Sequence, residues 1–177
     1  ESLYNVTSGS NNVAIGKATL NAAGVNPSSS TAVGYTASRF AQGIGSTSLG
    51  NGALSGDLDT NDRQVQGNIA IGAYALDATA DNDQTGTIAI GQNALTALTS
   101  GTNNVAIGYE AMLEETTGAN NTVVGHQAMN DSLAGLGNNN DTFIGYNSGG
   151  GTWLTAASSG NTAVGSGTMI GAMDGAG

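Results

Sequence analysis

Cysteine is absent, so disulfides, thiol nucleophiles and thiolate metal sites are all excluded. Basic residues are almost absent as well: Lys17, Arg39 and Arg63 are the whole complement, against 13 acidic residues and a net charge of −10. Nucleic acid is therefore not an expected partner, because phosphate recognition needs clustered Lys and Arg. No apolar run approaches the ~18 residues that a membrane-spanning helix requires, so membrane insertion is not expected, and no secretory leader opens the chain. Large side chains are scarce too, with two Phe, one Trp and four Met in 177 residues. A conventional globular core of this length needs more bulk. The single proline sits among 29 glycines, with Ala, Ser, Thr and Asn filling much of the rest. Such low complexity also occurs in disordered chains, but disorder does not require apolar residues at regular intervals, and here they are regular.

A four-residue word closed by glycine recurs nine times: VAIG ending at Gly16, TAVG at Gly34, TSLG at Gly50, IAIG at Gly72 and Gly91, VAIG at Gly108, TVVG at Gly125, TFIG at Gly145 and TAVG at Gly165. Successive glycines are 16 to 22 residues apart. After two variable residues most copies continue with a small residue and then Leu or Met, as in Ala94–Leu95 and Ala111–Met112; copies two and eight depart, with Ala37–Ser38 and Ser148–Gly149. Each word suits a short strand, and its glycine suits a corner because it takes positive φ without steric cost. Asn pairs ahead of the word, such as Asn103–Asn104, fit a turn. The Ala-Leu and Ala-Met segments hold no lasting 3.6-residue stripe and are too short for helices.

Nine similar strands, each with a full circuit between them, stack in parallel. The expectation is an all-β parallel β-solenoid of nine coils of 16–22 residues, one domain over residues 1–177, in which each coil buries its apolar face against its neighbours. At the usual strand spacing it forms a rod about 4 nm long. Alternation puts the first and third positions of the word on one face and the second on the other. The third-position column, with Ile15, Ile71, Ile90 and Ile107, is expected to fill the inside. The second-position column, with Ala14, Ala70, Ala89 and Ala106, is expected to form a bare outer face made for another chain.

The words NNVAIGYEAM and NNTVVGHQAM resemble the head repeats of trimeric autotransporter adhesins, and equally the longer-period repeats of phage tail fibres. The likeness runs from about Ser2 to Met169. It implies a left-handed β-roll, an intertwined or side-by-side homotrimer, and an adhesive or spacing role outside the cell, at a cell surface or on a virion. A cell-surface glycan or protein receptor is the implied external partner. The chain starts and stops within a repeat, so a filament subunit stacking head to tail is the alternative expectation, and a polysaccharide-degrading solenoid a third.

Catalytic signals are weak. His126 is the single histidine, and it occupies the position after the repeat glycine that Lys17, Tyr35, Gln92, Tyr109 and Tyr146 occupy elsewhere, which points to a surface site and not a Ser–His–Asp arrangement. No enzyme activity and no obligate cofactor are expected. Asp57, Asp59 and Asp62 lie in one loop, and Asp77, Asp81 and Asp83 in the next. Stacked, these carboxylates suit Ca²⁺; a solvated acidic rim explains them equally simply. Tyr35, Tyr109 and Tyr146 offer flat amphipathic faces to a glycan, or pack against neighbouring loops. Trp153, in the least repeat-like loop, is an anchor for a partner or a local plug.

Overall fold

The computed structural model describes residues 1–3, 8–21, 27–39, 43–56, 65–78, 84–131, 137–151 and 159–171, and every structural statement below concerns these. They form a parallel β-solenoid without a helix. Each repeat word supplies one three-residue strand of a nine-stranded parallel sheet: β1 (Val13–Ile15), β2 (Thr31–Val33), β4 (Thr47–Leu49), β6 (Ile69–Ile71), β8 (Ile88–Ile90), β9 (Val105–Ile107), β10 (Thr122–Val124), β11 (Thr142–Ile144) and β12 (Thr162–Val164). The register is constant, so Ala89, Ala106, Val123, Phe143 and Ala163 lie side by side across β8 to β12. A second sheet holds three two-residue strands, β3 (Gly43–Ile44), β5 (Val65–Gln66) and β7 (Gln84–Thr85).

The glycine after each long-sheet strand but β12 stacks directly on the glycine of the next coil. At Gly72 an added Cβ would sit 2.5 Å from the main-chain oxygen of Gly91, and φ is +130°, a conformation that side chains disfavour. Backbone rests on backbone there, so no other residue fits. The turn that follows is just as regular: its second and fourth residues take the left-handed conformation, as at Glu110 (φ 54°) and Met112 (φ 53°), or Gln127 and Met129. Even these turns stack through parallel main-chain bonds, with Leu54 N–H donating to the Ala75 carbonyl and Met112 N–H to the Ala128 carbonyl.

The two faces of the long sheet are the reverse of the sequence expectation. Ala70, Ala89 and Ala106 are fully buried and Ala14 is half-buried, whereas Ile15 and Ile107 are exposed and Ile71 and Ile90 half-buried. The second position therefore points into the coil, where it meets the Ala-Leu or Ala-Met turn: Ala53, Leu54, Ala75, Leu76, Ala94, Leu95, Ala111 and Met112 belong to the same buried cluster. The physical reason is cross-section. A narrow coil that already holds a Leu or Met from its turn takes a small second-position residue from the strand, most often Ala, and Val123 beside Met129 is the bulkiest it accepts there.

The two irregular copies obey the same limit. In copy eight the strand brings Phe143 instead of Ala, and the turn brings Gly149 instead of Leu or Met; a Cβ on Gly149 would lie 2.8 Å from the Phe143 ring. In copy two Ser38 replaces Leu, and its hydroxyl donates to Ser48 at 2.9 Å, the second-position residue of β4. Ser148 likewise bonds Thr168 and the Ala163 carbonyl.

This exchange of bulk is testable. Phe143→Ala should destabilise the chain by about 3–5 kcal/mol through the cavity it leaves, and Gly149→Met alone should destabilise by overpacking. The double variant restores the arrangement of the neighbouring coils, where Met129 already holds a φ of 49°. Its melting temperature should exceed both single variants; additive losses would show that the two positions do not share one space.

Candidate interaction surfaces and buried carboxylates

Three arrangements stand out once the coil is built. The first is the outer face of the long sheet. Its first-position row runs Val13, Thr31, Thr47, Ile69, Ile88, Val105, Thr122, Thr142, Thr162, and its third-position row is the Ile/Val column with Leu49. No charged residue interrupts either row. Ile15 is 60 % exposed, Leu49 47 % and Val164 66 %. The strip is thus uncharged throughout, apolar along its third-position row and largely threonine along its first.

The second is a ladder of rings at the position after the glycine. His126 stacks on Tyr109, centroids 5.1 Å apart and 25° between planes, and on Tyr146 at 5.5 Å and 26°. All three are exposed. The strict coil-to-coil register aligns them, as it aligns the strands. Glu110, next along the turn, accepts from Gln127 Nε2 at 2.9 Å. That bond first, then those from Tyr109 and Asn93, holds the Glu110 carboxyl below the usual carboxylate range, and Glu110 in turn pushes the Tyr109 phenol up. Tyr35 stands apart from this ladder, with the Lys17 ammonium 5.9 Å from its ring centroid. Both faces of His126 are taken by its neighbours, so a glycan cannot lie flat on every ring of the column, as isolated tyrosines would allow.

The third is internal. The residue preceding each strand forms a polar ladder inside the corner of the coil. Asn104 Oδ1 accepts the Asn121 N–H at 3.0 Å while its amide donates to the Gly118 carbonyl at 2.7 Å. Asn121 repeats this one coil on, to the Asp141 N–H and the Asn138 carbonyl. Asn68 does the same with Thr87 and Gln84. Each buried amide is thereby satisfied and ties two coils together, a bond worth about 1 kcal/mol.

Two members break the rule: Thr87 Oγ1 is buried with no hydrogen-bond partner, and so is one carboxylate oxygen of Asp141. Asp141 Oδ1 accepts from Asn161 N–H and Nδ2 at 2.8 and 2.9 Å, but Oδ2 is the orphaned oxygen. Where Asn121 places a donor, Asp141 places a second acceptor. Burial is the main cause that pushes its carboxyl up, against the two Asn161 bonds, with the charge of Glu115 adding to the rise. Glu115 is also fully buried, yet well supplied: Oε1 accepts from Thr117 and Gly118 N–H, and Oε2 from Asn138 Nδ2 at 2.8 Å. Sequence reading missed both residues. The available signal was Asp141 itself, an acid in a column of Asn, Ser and Thr.

Of the acidic residues expected to gather around calcium, Asp57, Asp59, Asp62, Asp81 and Asp83 lie outside the described residues, as does Trp153. Asp77 is described: it is half-buried, burial pushes its carboxyl up, and the Ser55 N–H bonds it. Among the described residues no three His, Cys, Asp or Glu stand close enough to hold a metal ion, and no helix is long and apolar enough to cross a membrane. No family model, no curated protein and no solved structure matches the chain.

The buried acid yields a pH prediction. A carboxyl whose pKa rises on folding contributes its full stability when protonated in both states, and loses it as pH climbs from the unfolded value to the folded one. Asp141→Asn removes that loss and supplies the missing donor. It should raise the melting temperature at pH 7 and flatten the fall in stability above the ordinary Asp pKa. Equal melting curves for the two proteins at pH 7 would show that Oδ2 is not in a dry site.

Proposed function

We propose that the chain is a structural and adhesive segment of an extracellular fibre, of the kind carried by a phage tail or a bacterial surface adhesin. In this reading it is wound as a left-handed roll of nine coils and assembled as a homotrimer. Its role is geometric: a stiff rod spaces and presents side chains at coil intervals, and three copies convert weak contacts into firm attachment. Catalysis has no part in it.

The observation that carries the reading is the uncharged outer sheet face. It runs unbroken along β1, β2, β4, β6 and β8 to β12, and its rows repeat at the pitch of the backbone. A partner with the same pitch meets it row by row, and a second copy of this chain is such a partner. Cyclic closure of identical faces around an axis is the common way to bury such a strip without leaving it open to indefinite association. Each Ile or Val fully covered contributes roughly 1.5–3 kcal/mol, so even partial cover of so many rows outweighs the entropy lost on association. The role of the two columns is exchanged relative to the sequence expectation: Ile15, Ile71, Ile90 and Ile107 face the neighbouring chain, and Ala14, Ala70, Ala89 and Ala106 fill the coil.

Light scattering at low micromolar concentration should give three times the chain mass of 17.3 kDa. Ile107→Arg should lower that to one chain while the circular dichroism of the coil persists. Ala106→Arg should instead abolish the coil, because it forces a charge into a closed interior at a cost of several kcal/mol. A single-chain mass for the unaltered protein would overturn the trimer; a trimeric Ile107→Arg variant would remove this face from the interface.

A further inference from the structure

The ladder Tyr109–His126–Tyr146 ends abruptly. The next residue in the column is Ser166, and the residue beside it is Gly167, where an added Cβ would meet nothing within 4 Å. Tyr146 is 57 % exposed. Its inner face is held against His126, and its outer face looks over a serine and a glycine. The coil below fills the same two positions with Tyr146 and Asn147, and the one before that with His126 and Gln127. The result is a notch one coil high, about 4.8 Å, floored by Ser166 and Gly167 and walled by one flat ring.

We propose that this notch is a stacking subsite for the pyranose ring of a neutral or amino sugar, which takes the place of a fourth ring in the ladder. The coil does not need rings here. Ala73, Asn51 and Ser166 occupy the same position elsewhere, and their coils keep the same register. The wall is pre-organised, because stacking on His126, itself stacked on Tyr109, holds the Tyr146 ring before any ligand arrives, which lowers the ordering cost of binding. The apolar C–H face of a sugar suits the ring, and its hydroxyls suit the Tyr146 hydroxyl and the Ser166 hydroxyl on the floor. The electrostatics select among sugars. The net charge of −10 disfavours acidic glycans, as does Glu110, at the adjoining turn position two coils below, whose carboxyl Gln127 holds below the usual carboxylate range. Attachment to a glycosylated surface deepens the fibre reading and rests on it for avidity, but binding of one sugar at one notch stands without the trimer.

Saturation-transfer NMR with the full chain tests this, using methyl glycosides of glucose, galactose and mannose, N-acetylglucosamine, glucosamine and, as an acidic control, glucuronic acid. Transfer to the ring C–H protons of at least one neutral or amino sugar is expected, with none to glucuronic acid. Tyr146→Ser repeats the residue of the next coil and should abolish the transfer with the mass unchanged. Tyr146→Phe keeps the flat face and should retain it, as should Tyr35→Ser. No transfer from any neutral or amino sugar, or transfer that survives Tyr146→Ser, would overturn the subsite. A fall in melting temperature for Tyr146→Ser without any sugar signal would show that the rings only brace the coil. Mass measured on the same samples separates failure of the subsite from failure of the trimer.

Discussion

The coil depends on backbone meeting backbone at the glycine column. At that corner the chain leaves the long sheet, and the next coil's main chain lies where any Cβ would project. This close approach holds successive corners in line, and the constant register accompanies it. Hydrogen bonds then continue through the corner, with Gly72 N–H donating to Leu49 and Gly91 N–H to Ile71. A solenoid built in this way has little interior. It is filled mostly by an Ala methyl from the strand and a Leu or Met from the turn, and its corner is lined by side-chain amides that bond the main chain of the following coil.

The repeat, the strand positions, the glycine corner, the parallel stacking and the absence of helix over 94–100 and 111–116 were legible in the sequence. Each is a consequence of spacing or of backbone sterics, and those are local. Which sheet face turns inward was not legible from alternation, because a period of two separates two faces without ranking them. Hydrophobicity ranks Ile above Ala, and that ranking misleads when volume decides. The deciding residues were present: Phe143 and Gly149 depart from the pattern in the same copy, one gaining bulk and one losing it. Such a pair marks shared space, and it places the second strand position inside. Ser38 and Ser48 carry the same message in polar form.

The same register explains the surface. A column of side chains at coil spacing stacks whether or not function asks for it, so Tyr109, His126 and Tyr146 meet because they follow three successive corner glycines. The buried acids follow from the ladder: Asp141 inherits a position that elsewhere holds an amide or hydroxyl, and accepts the cost of one unbonded oxygen. Spacing located the aromatic column. It did not reveal that its inner faces are already occupied, which depends on ring planes and distances.

Alanine at two glycines separates this account from any general preference for flexible residues. Gly67 has the ordinary left-handed φ of +64° and a Cβ there meets nothing within 4 Å, whereas Gly72 has a φ of +130° and a Cβ there strikes the Gly91 carbonyl. Thermal unfolding of Gly72→Ala and Gly67→Ala is therefore the most direct measurement. The account predicts that Gly72→Ala loses several kcal/mol or fails to fold, whereas Gly67→Ala loses about 1 kcal/mol, the ordinary cost of a left-handed alanine. Equal, small losses at both positions would contradict the stacked-backbone corner.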